Sequence, residues 1–135
     1  MYLLDTNVVS ELRKKKPHGA VVKWITAARD SELFISVVTI AEIQAGIELT
    51  REQDRAKASE LELWLDQIAA SYNVLTMDAT VFRHWAKIMH HETNTVSEDA
   101  MIAATAIVHK LTVVTRNVRD FKRFEVTVFN PFSAD

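Results

Sequence analysis

MYLLDTNVVSEL, residues 1–12, carries the first decision about the fold. An apolar run, Tyr2-Leu3-Leu4, ends in Asp5, and apolar spacing resumes at Val8 and Val9 after Thr6 and Asn7. The run reads as a short buried strand, and TNVVSELRKK as a helix that fades before Pro17. A carboxylate placed where a buried strand leaves the core has two readings. Asp5 caps the following helix, a task equally open to Thr6 or Asn7, or it forms one wall of a site.

The same alternation continues outward. GAVVKWITAARD (19–30) has the spacing of an amphipathic helix, with Val21 or Val22, Trp24 and Ile25 on its apolar side. LFISVV (33–38) is strand-like and TIAEIQAGIEL (39–49) helical. REQDRAKASELELWLDQIAASY (51–72) is the longest helical stretch, its apolar face marked by Ala58, Leu61, Trp64, Leu65 and Ile68. NVLTM (73–77) reads as a strand, DATVFRHWAKIMHHE (78–92) as a helix capped by Asp78, and SEDAMIAATAIVHK (97–110) as a helix. LTVVT (111–115) is a strand, TRNVRDF (115–121) a loop, and EVTVFN (125–130) a last strand stopped by Pro131. Strands separated by helices predict an α/β fold, three layers deep, with a mostly parallel central sheet of four to five strands covered by helices. Sites in such sheets lie beyond the carboxyl ends of the strands.

Composition narrows the function classes. The chain has 135 residues, 48% of them hydrophobic, which suits one domain with a real core. No stretch of 18 apolar residues predicts a membrane span, and residues 1–12 do not read as a signal peptide. The absence of cysteine excludes disulfides and thiolate metal sites, and fits a cytoplasmic protein. With 18 acids against 16 bases, nucleic-acid binding requires local clusters such as Arg13-Lys14-Lys15-Lys16, or Lys110, Arg116, Arg119, Lys122 and Arg123. Such runs are also what a solvated surface carries.

Acids following the strands form a short list: Asp5, Glu42, Asp99 and, in TRNVRDF, Asp120, with Asn117 before it. Each has a structural explanation as well. Thr39 and Glu42 fit a T-x-x-E capping box. Asp99 stands two residues after Ser97, a natural N-cap, where it favours the helix dipole. Asp120 fits a turn before Phe121. Capping does not explain Asp5, Glu42 and Asp99 together, because carboxylates at one sheet edge repel unless a cation lies between them. Lys and Arg are sparse beside these acids in sequence, so a divalent metal is the natural partner. Carboxylates without cysteine suit Mg²⁺, or Mn²⁺, better than zinc. The histidines do not compete: His90 and His91 on one helix point about 100° apart, and His84 and His91 lack i, i+4 spacing. An open acid cluster holding Mg²⁺ serves phosphoryl transfer or phosphodiester hydrolysis.

LLDTNVVSEL, TIAEIQAGI, SEDAMIAATA, VVTRNVRDF and the closing VFNPF, in that order and spacing, resemble the PIN-domain ribonucleases. The likeness is greatest to the VapC-type toxins of type II toxin–antitoxin systems, in their FitB-like branch. It spans residues 2 to about 132. The resemblance implies that Asp5, Glu42 and Asp99 are the Mg²⁺-holding, catalytic acids. Some relatives carry T-R-D where this chain has Thr115-Arg116-Asn117; Asn117 is a poorer ligand, and Asp120 is a possible replacement. Thr6, Asn7, Thr115 and Asn117 are expected to orient ligands and waters, and Arg116, Arg119 and Lys122 to bind RNA phosphates.

The resemblance further implies an endoribonuclease that cleaves RNA by metal-activated water and arrests translation or growth until neutralised. Expected partners are a VapB-like antitoxin, a second copy of the chain in a homodimer or larger assembly, RNA, and DNA only through the antitoxin. The antitoxin tail is expected along helices spanning residues 39–70, where Ile43, Leu61 and Trp64 serve as groove or core residues. Two other classes remain. A phosphotransfer or receiver-type module would need a second aspartate at Asn7, or paired acids after the first strand. A catalytically silent interaction domain would have no reason to keep all three acids.

Overall fold

The structure is a computed structural model that describes residues 1–133. Five strands form one sheet: β1 (Tyr2–Leu4), β2 (Leu33–Ser36), β3 (Asn73–Leu75), β4 (Thr112–Val114) and β5 (Val128–Phe129). They lie in the order β3-β2-β1-β4-β5, and every pairing is parallel. The helices between them are α1 (Thr6–Glu11), α2 (Gly19–Ala27), α3 (Val37–Arg51), α4 (Arg55–Ser71), α5 (Ala79–Met89), α6 (Ser97–His109) and α7 (Val118–Lys122). The predicted α/β architecture with helices on both faces is what forms. Among the described residues no helix is long and apolar enough to cross a membrane.

Strand alternation sorts the side chains into two cores. Leu3 and Val113 face Ala100, Ile102, Ala103 and Ala106 of α6 together with Phe121 of α7. Their neighbours Leu4, Val114 and Ile35 face the other way, onto Val8 and Val9 of α1, Val21 of α2 and Ile68 of α4. Leu3, Leu4, Val113 and Val114 are fully buried, so β1 and β4 read as continuous apolar runs instead of alternating ones. Each such side chain contributes about 1.5–3 kcal/mol. A third, smaller core of Ile47, Ala58 and Leu65 joins α3 to α4.

Chain order and sheet order together create one special place. From β1 the chain moves to β2 and then β3 on one side, and returns past β1 to β4 and β5 on the other. The switch point lies between the carboxyl ends of β1 and β4, where an open α/β sheet offers a crevice. Asp5 follows β1 and Thr115 follows β4.

Several boundaries differ from the sequence expectation, each for a local reason. β2 stops at Ser36, whose buried hydroxyl accepts the Val38 N–H at 3.0 Å and caps α3. Val37 and Val38 are therefore helical, and Thr39 and Glu42 do not form a capping box. Glu42 lies in the second turn of α3. The long helix begins at Arg55, after Asp54 accepts the Lys57 N–H, because Arg51 belongs to α3. Asp78 caps α5 as expected, through the Val81 N–H. That helix ends at Met89: His90 is its C-cap and His91 has φ 76°, so neither shares a helix with His84. A 3-10 turn, Asn94–Val96, leads into α6, which makes Val96 the N-cap position and Ser97 its first residue. The loop expected over 115–121 contains α7, and the last strand is confined to Val128–Phe129.

Ser36→Ala removes a buried cap at the root of the helix that carries Glu42. It is expected to cost about 1–2 kcal/mol and to lower the melting temperature by several degrees. Thermal unfolding followed by circular dichroism checks this; an unchanged melting temperature would mean that Ser36 does not hold the start of α3.

Candidate active site

Asp5 is 4% exposed and is held by three donors. The Thr6 N–H donates to Oδ1 at 2.8 Å, while Asn7 Nδ2 and Thr115 Oγ1 donate to Oδ2 at 3.0 and 2.8 Å. It is thus the N-cap of α1, the structural role foreseen for it, without being spent by that role. Burial pushes its carboxyl above the usual range, and the three hydrogen bonds only partly restore it; the charge of Asp120 pushes it up further.

The support around Asp5 crosses the switch point. Thr115, fully buried, ties β4 to β1 through its hydroxyl. Asn7 Oδ1 accepts the Arg116 N–H at 3.2 Å, and the Asn117 N–H donates to Thr115 Oγ1 at 2.9 Å. Asn7 and Thr115 thus hydrogen-bond Asp5 and each other through their side chains. Asn117 joins through its backbone, not through the side chain considered from sequence.

Glu42 arrives from α3. Thr6 Oγ1 lies 2.9 Å from Glu42 Oε1 and 3.0 Å from Thr39 Oγ1. Thr6 is the donor in both contacts, so its one hydroxyl proton is shared between Glu42 Oε1 and the buried Thr39 hydroxyl. Thr39, which sequence reasoning assigned to a cap, instead accepts from the Thr6 hydroxyl beside Glu42. Its place three residues before Glu42, on the same helical face, was the available signal. Partial burial raises the Glu42 carboxyl, and the charges of Asp5, Glu98 and Asp99 add to the effect.

Asp99 stands in the first turn of α6, as expected, although the cap before it is Val96. Its carboxyl is pushed up to about 6, first by burial and then by Asp5, Asp120 and Glu98, with only Arg123 pulling down. Asp120 projects from α7, and its charge acts on both Asp5 and Asp99. Four elements thus bring Asp5, Glu42, Asp99 and Asp120 into one electrostatic neighbourhood. None of these four makes a salt bridge among the described residues.

The donor set is hard oxygen throughout, which suits Mg²⁺ or Mn²⁺. The acids stand open: among the described residues no three Asp, Glu or His side chains are close enough to surround one ion. Mg²⁺ takes one or two carboxylates and keeps several waters, so an open set of this kind accommodates it.

The expected RNA-binding residues separate. Arg119 and Lys122 are exposed on α7, while Arg116 turns aside and lies over the Phe132 ring at 3.8 Å. Arg123, counted only in a looser basic cluster, pairs with Glu92 at 3.6 Å. Ile43, Leu61 and Trp64 act as core and groove at once: they pack on the α3–α4 core and line a cavity of about 180 Å³ that reaches Thr6, Arg13 and Glu42.

Residues 2–126 match the PIN domain family. The chain belongs to the PIN-domain family. It is 35% identical to the plasmid stability protein StbB of Pseudomonas syringae, over 99% of this chain and 100% of that one. It is 33% identical to the toxin FitB of Neisseria gonorrhoeae, over 98% and 99% of the two chains. It is also 32% identical to the VapC ribonuclease Y4jK of Sinorhizobium fredii, over 98% of each. Among solved structures, FitAB bound to an IR36 DNA fragment contains a chain that superposes with a TM-score of 0.86 at 32% identity, over 100% of this chain and 98% of that one. The PIN fold expected from the five sequence motifs is therefore present across nearly the whole length.

The raised acids have a stability consequence in metal-free protein. Asp99 titrates near 6 when folded and near 3.8 otherwise, so between those values the fold keeps a proton that the unfolded chain has lost. Stability contributed by the acid edge therefore falls as pH rises through this window, and the penalty is complete above pH 6. Asp99→Asn is expected to stabilise metal-free protein by roughly 1–2 kcal/mol at pH 7.5, after allowance for solvent screening, with the gain fading toward pH 4. Denaturant melts with chelator at several pH values test it; a gain that is constant with pH would contradict the assignment.

Proposed function

We propose that this PIN domain is a Mg²⁺-dependent endoribonuclease that acts as the toxin of a toxin–antitoxin pair in the cytoplasm, with Mn²⁺ able to substitute. The observation that carries the reading is the gathering of Asp5, Glu42, Asp99 and Asp120 at the sheet's switch point with burial and mutual charge raising the first three. An acid cluster that stores repulsion calls for a cation, and a cation held there draws a phosphodiester. The names of the full-length relatives, a ribonuclease and a toxin, give the same direction.

Asp5 and Asp99 would hold the ion, with Glu42 orienting its waters and Asp120 adding charge. Bound Mg²⁺ would activate a water as the nucleophile and neutralise charge on the phosphate and the departing oxygen. The protein's own part is positioning. Three donors fix Asp5 in one orientation, and the Thr6 hydroxyl holds Glu42 Oε1 while Oε2, with no partner among the described residues, is available to orient water. Arg119 and Lys122 on the rim supply cationic contacts to flanking phosphates.

The proposed partner is a VapB-like antitoxin whose tail lies in the cavity bounded by α1, α3 and α4. Ile43, Leu61 and Trp64 offer it apolar contact, and Glu42 at one end offers a carboxylate to a basic side chain. The FitB-like resemblance adds a homodimer, and DNA contact made through the antitoxin alone.

Purified protein should cleave RNA with Mg²⁺ and stop on addition of EDTA. Thr115→Val, which removes one of the two donors to Asp5 Oδ2, is expected to lower cleavage about 10- to 100-fold, and Asp5→Ala or Asp99→Asn further still. Cleavage that survives chelation overturns the metal-dependent mechanism. Expression of wild type without antitoxin should arrest bacterial growth where Asp5→Ala does not; equal growth overturns the toxin assignment. A folded protein that binds RNA but leaves it intact would be a silent domain.

A further inference from the structure

Arg116 follows the residue that clamps Asp5, yet its side chain leaves the acids. No carboxylate of the acid edge is drawn down by it; the acid that feels it is Glu11, after Lys14 and the His18 N–H. Both Glu11 oxygens are already taken, Oε1 by Lys14 Nζ at 2.9 Å and Oε2 by the His18 N–H at 2.9 Å. Arg116 makes no salt bridge among the described residues. Its guanidinium carbon lies over the Phe132 ring, 3.8 Å from the ring centre.

The ring is itself built into place. Asn130 Oδ1 accepts the Phe132 N–H at 2.9 Å, folding a turn around the buried Pro131. His18, the N-cap of α2, meets the ring edge-on at 5.4 Å. A planar cation stacked on an aromatic face keeps its edge N–H groups for an anion in the same plane. Because the Arg116 N–H is bonded to Asn7 Oδ1, that edge starts from backbone fixed to the Asp5 clamp.

We infer that the Arg116–Phe132 stack is a phosphate-binding subsite for single-stranded RNA beside the acid edge, with Phe132 as the residue that positions the Arg116 guanidinium. It rests on the reading of this chain as an RNA-cleaving enzyme and adds where the flanking strand is held. The basic turn at Lys14, anchored through Glu11, continues the strip away from the acids. A strand held here runs over the α1–α2 side of the sheet.

Fluorescence anisotropy with a labelled single-stranded RNA, across a KCl series, tests this. Arg116→Ala should weaken binding and reduce the slope of log affinity against log salt by about 0.7, the loss of one phosphate contact to a single strand. Phe132→Leu keeps the charge and an apolar plug but no π face, so affinity should fall several-fold with the salt slope near wild type. Phe132→Trp should restore affinity. Circular dichroism melts separate loss of fold from loss of stacking, and the Trp variant carries the test if Leu does not fold. Wild-type affinity in Phe132→Leu, or an unchanged salt slope in Arg116→Ala, overturns the subsite. Wild type that binds RNA in this Arg116-dependent way but does not cleave it would overturn the nuclease reading and leave the subsite standing.

Discussion

A single buried carboxylate sets the terms for the rest of the structure. Asp5 ends the central strand of a parallel sheet, where it is nearly inaccessible and where charge is costly. Its three hydrogen bonds come from two chain segments more than a hundred residues apart, since Thr6 and Asn7 follow β1 and Thr115 follows β4. Only a sheet that places β4 beside β1 brings those segments together. The strand order and the carboxylate's support are therefore one fact seen at two scales. A register slip of β4 by one residue would move Thr115 off Asp5 and turn Val113 and Val114 out of their cores.

The acids around Asp5 reach it by different routes, and this explains the shape of the edge. Glu42 comes from the second turn of a helix rooted at Ser36, Asp99 from the first turn of α6, and Asp120 from the short α7. α6 is alanine-rich where it meets the sheet, with Ala100, Ala103, Ala104 and Ala106 fully buried, so its first turn sits low over the strand ends. The Thr6 hydroxyl supports Glu42 without adding charge. Hydroxyls and amides do the holding here, and cations are kept out: Arg116 is drawn off to Phe132, and Arg123 is shared with Glu92. An edge arranged in this way is destabilised by its own charge, as sites arranged for function often are.

Much of this was legible in the residues. Buried strands announce themselves as short apolar runs ending in polar residues, and MYLLD, LFIS and LTVVT all do so. Parallel topology followed from their separation by helices, and the strand-end rule then selected Asp5, Glu42 and Asp99. What failed were decisions between neighbours of similar propensity. Val37 and Val38 favour strands, yet the buried Ser36 starts the helix before them, a choice made by tertiary burial and not by local preference. Ser97 lost the cap to Val96 because a 3-10 turn leads into α6. The Thr6–Thr39 contact and the Arg116 stack lay beyond reach for another reason. Each joins positions far apart in sequence, and nothing in Phe132 or Thr39 alone marks its partner.

On the proposed reading, the distribution of charge would make RNA affinity a sum of two opposing terms. Net charge is only −2, but acids gather at the switch point while bases lie to either side, on α7 and on the turn after α1. A phosphate over the acids is repelled until a cation is present, whereas a phosphate over Arg116, Arg119 or Lys122 is attracted with or without one. A strand crossing the edge would thus be held at its flanks first and engaged at its centre only with metal in place. Raised carboxyls reinforce this order. Burial and mutual charge oppose ionisation of Asp5, Glu42 and Asp99, so on the proposed reading the affinity for an ion there would rise with pH. On that reading, substrate grip and metal loading would answer to different conditions, with salt governing the first and pH the second.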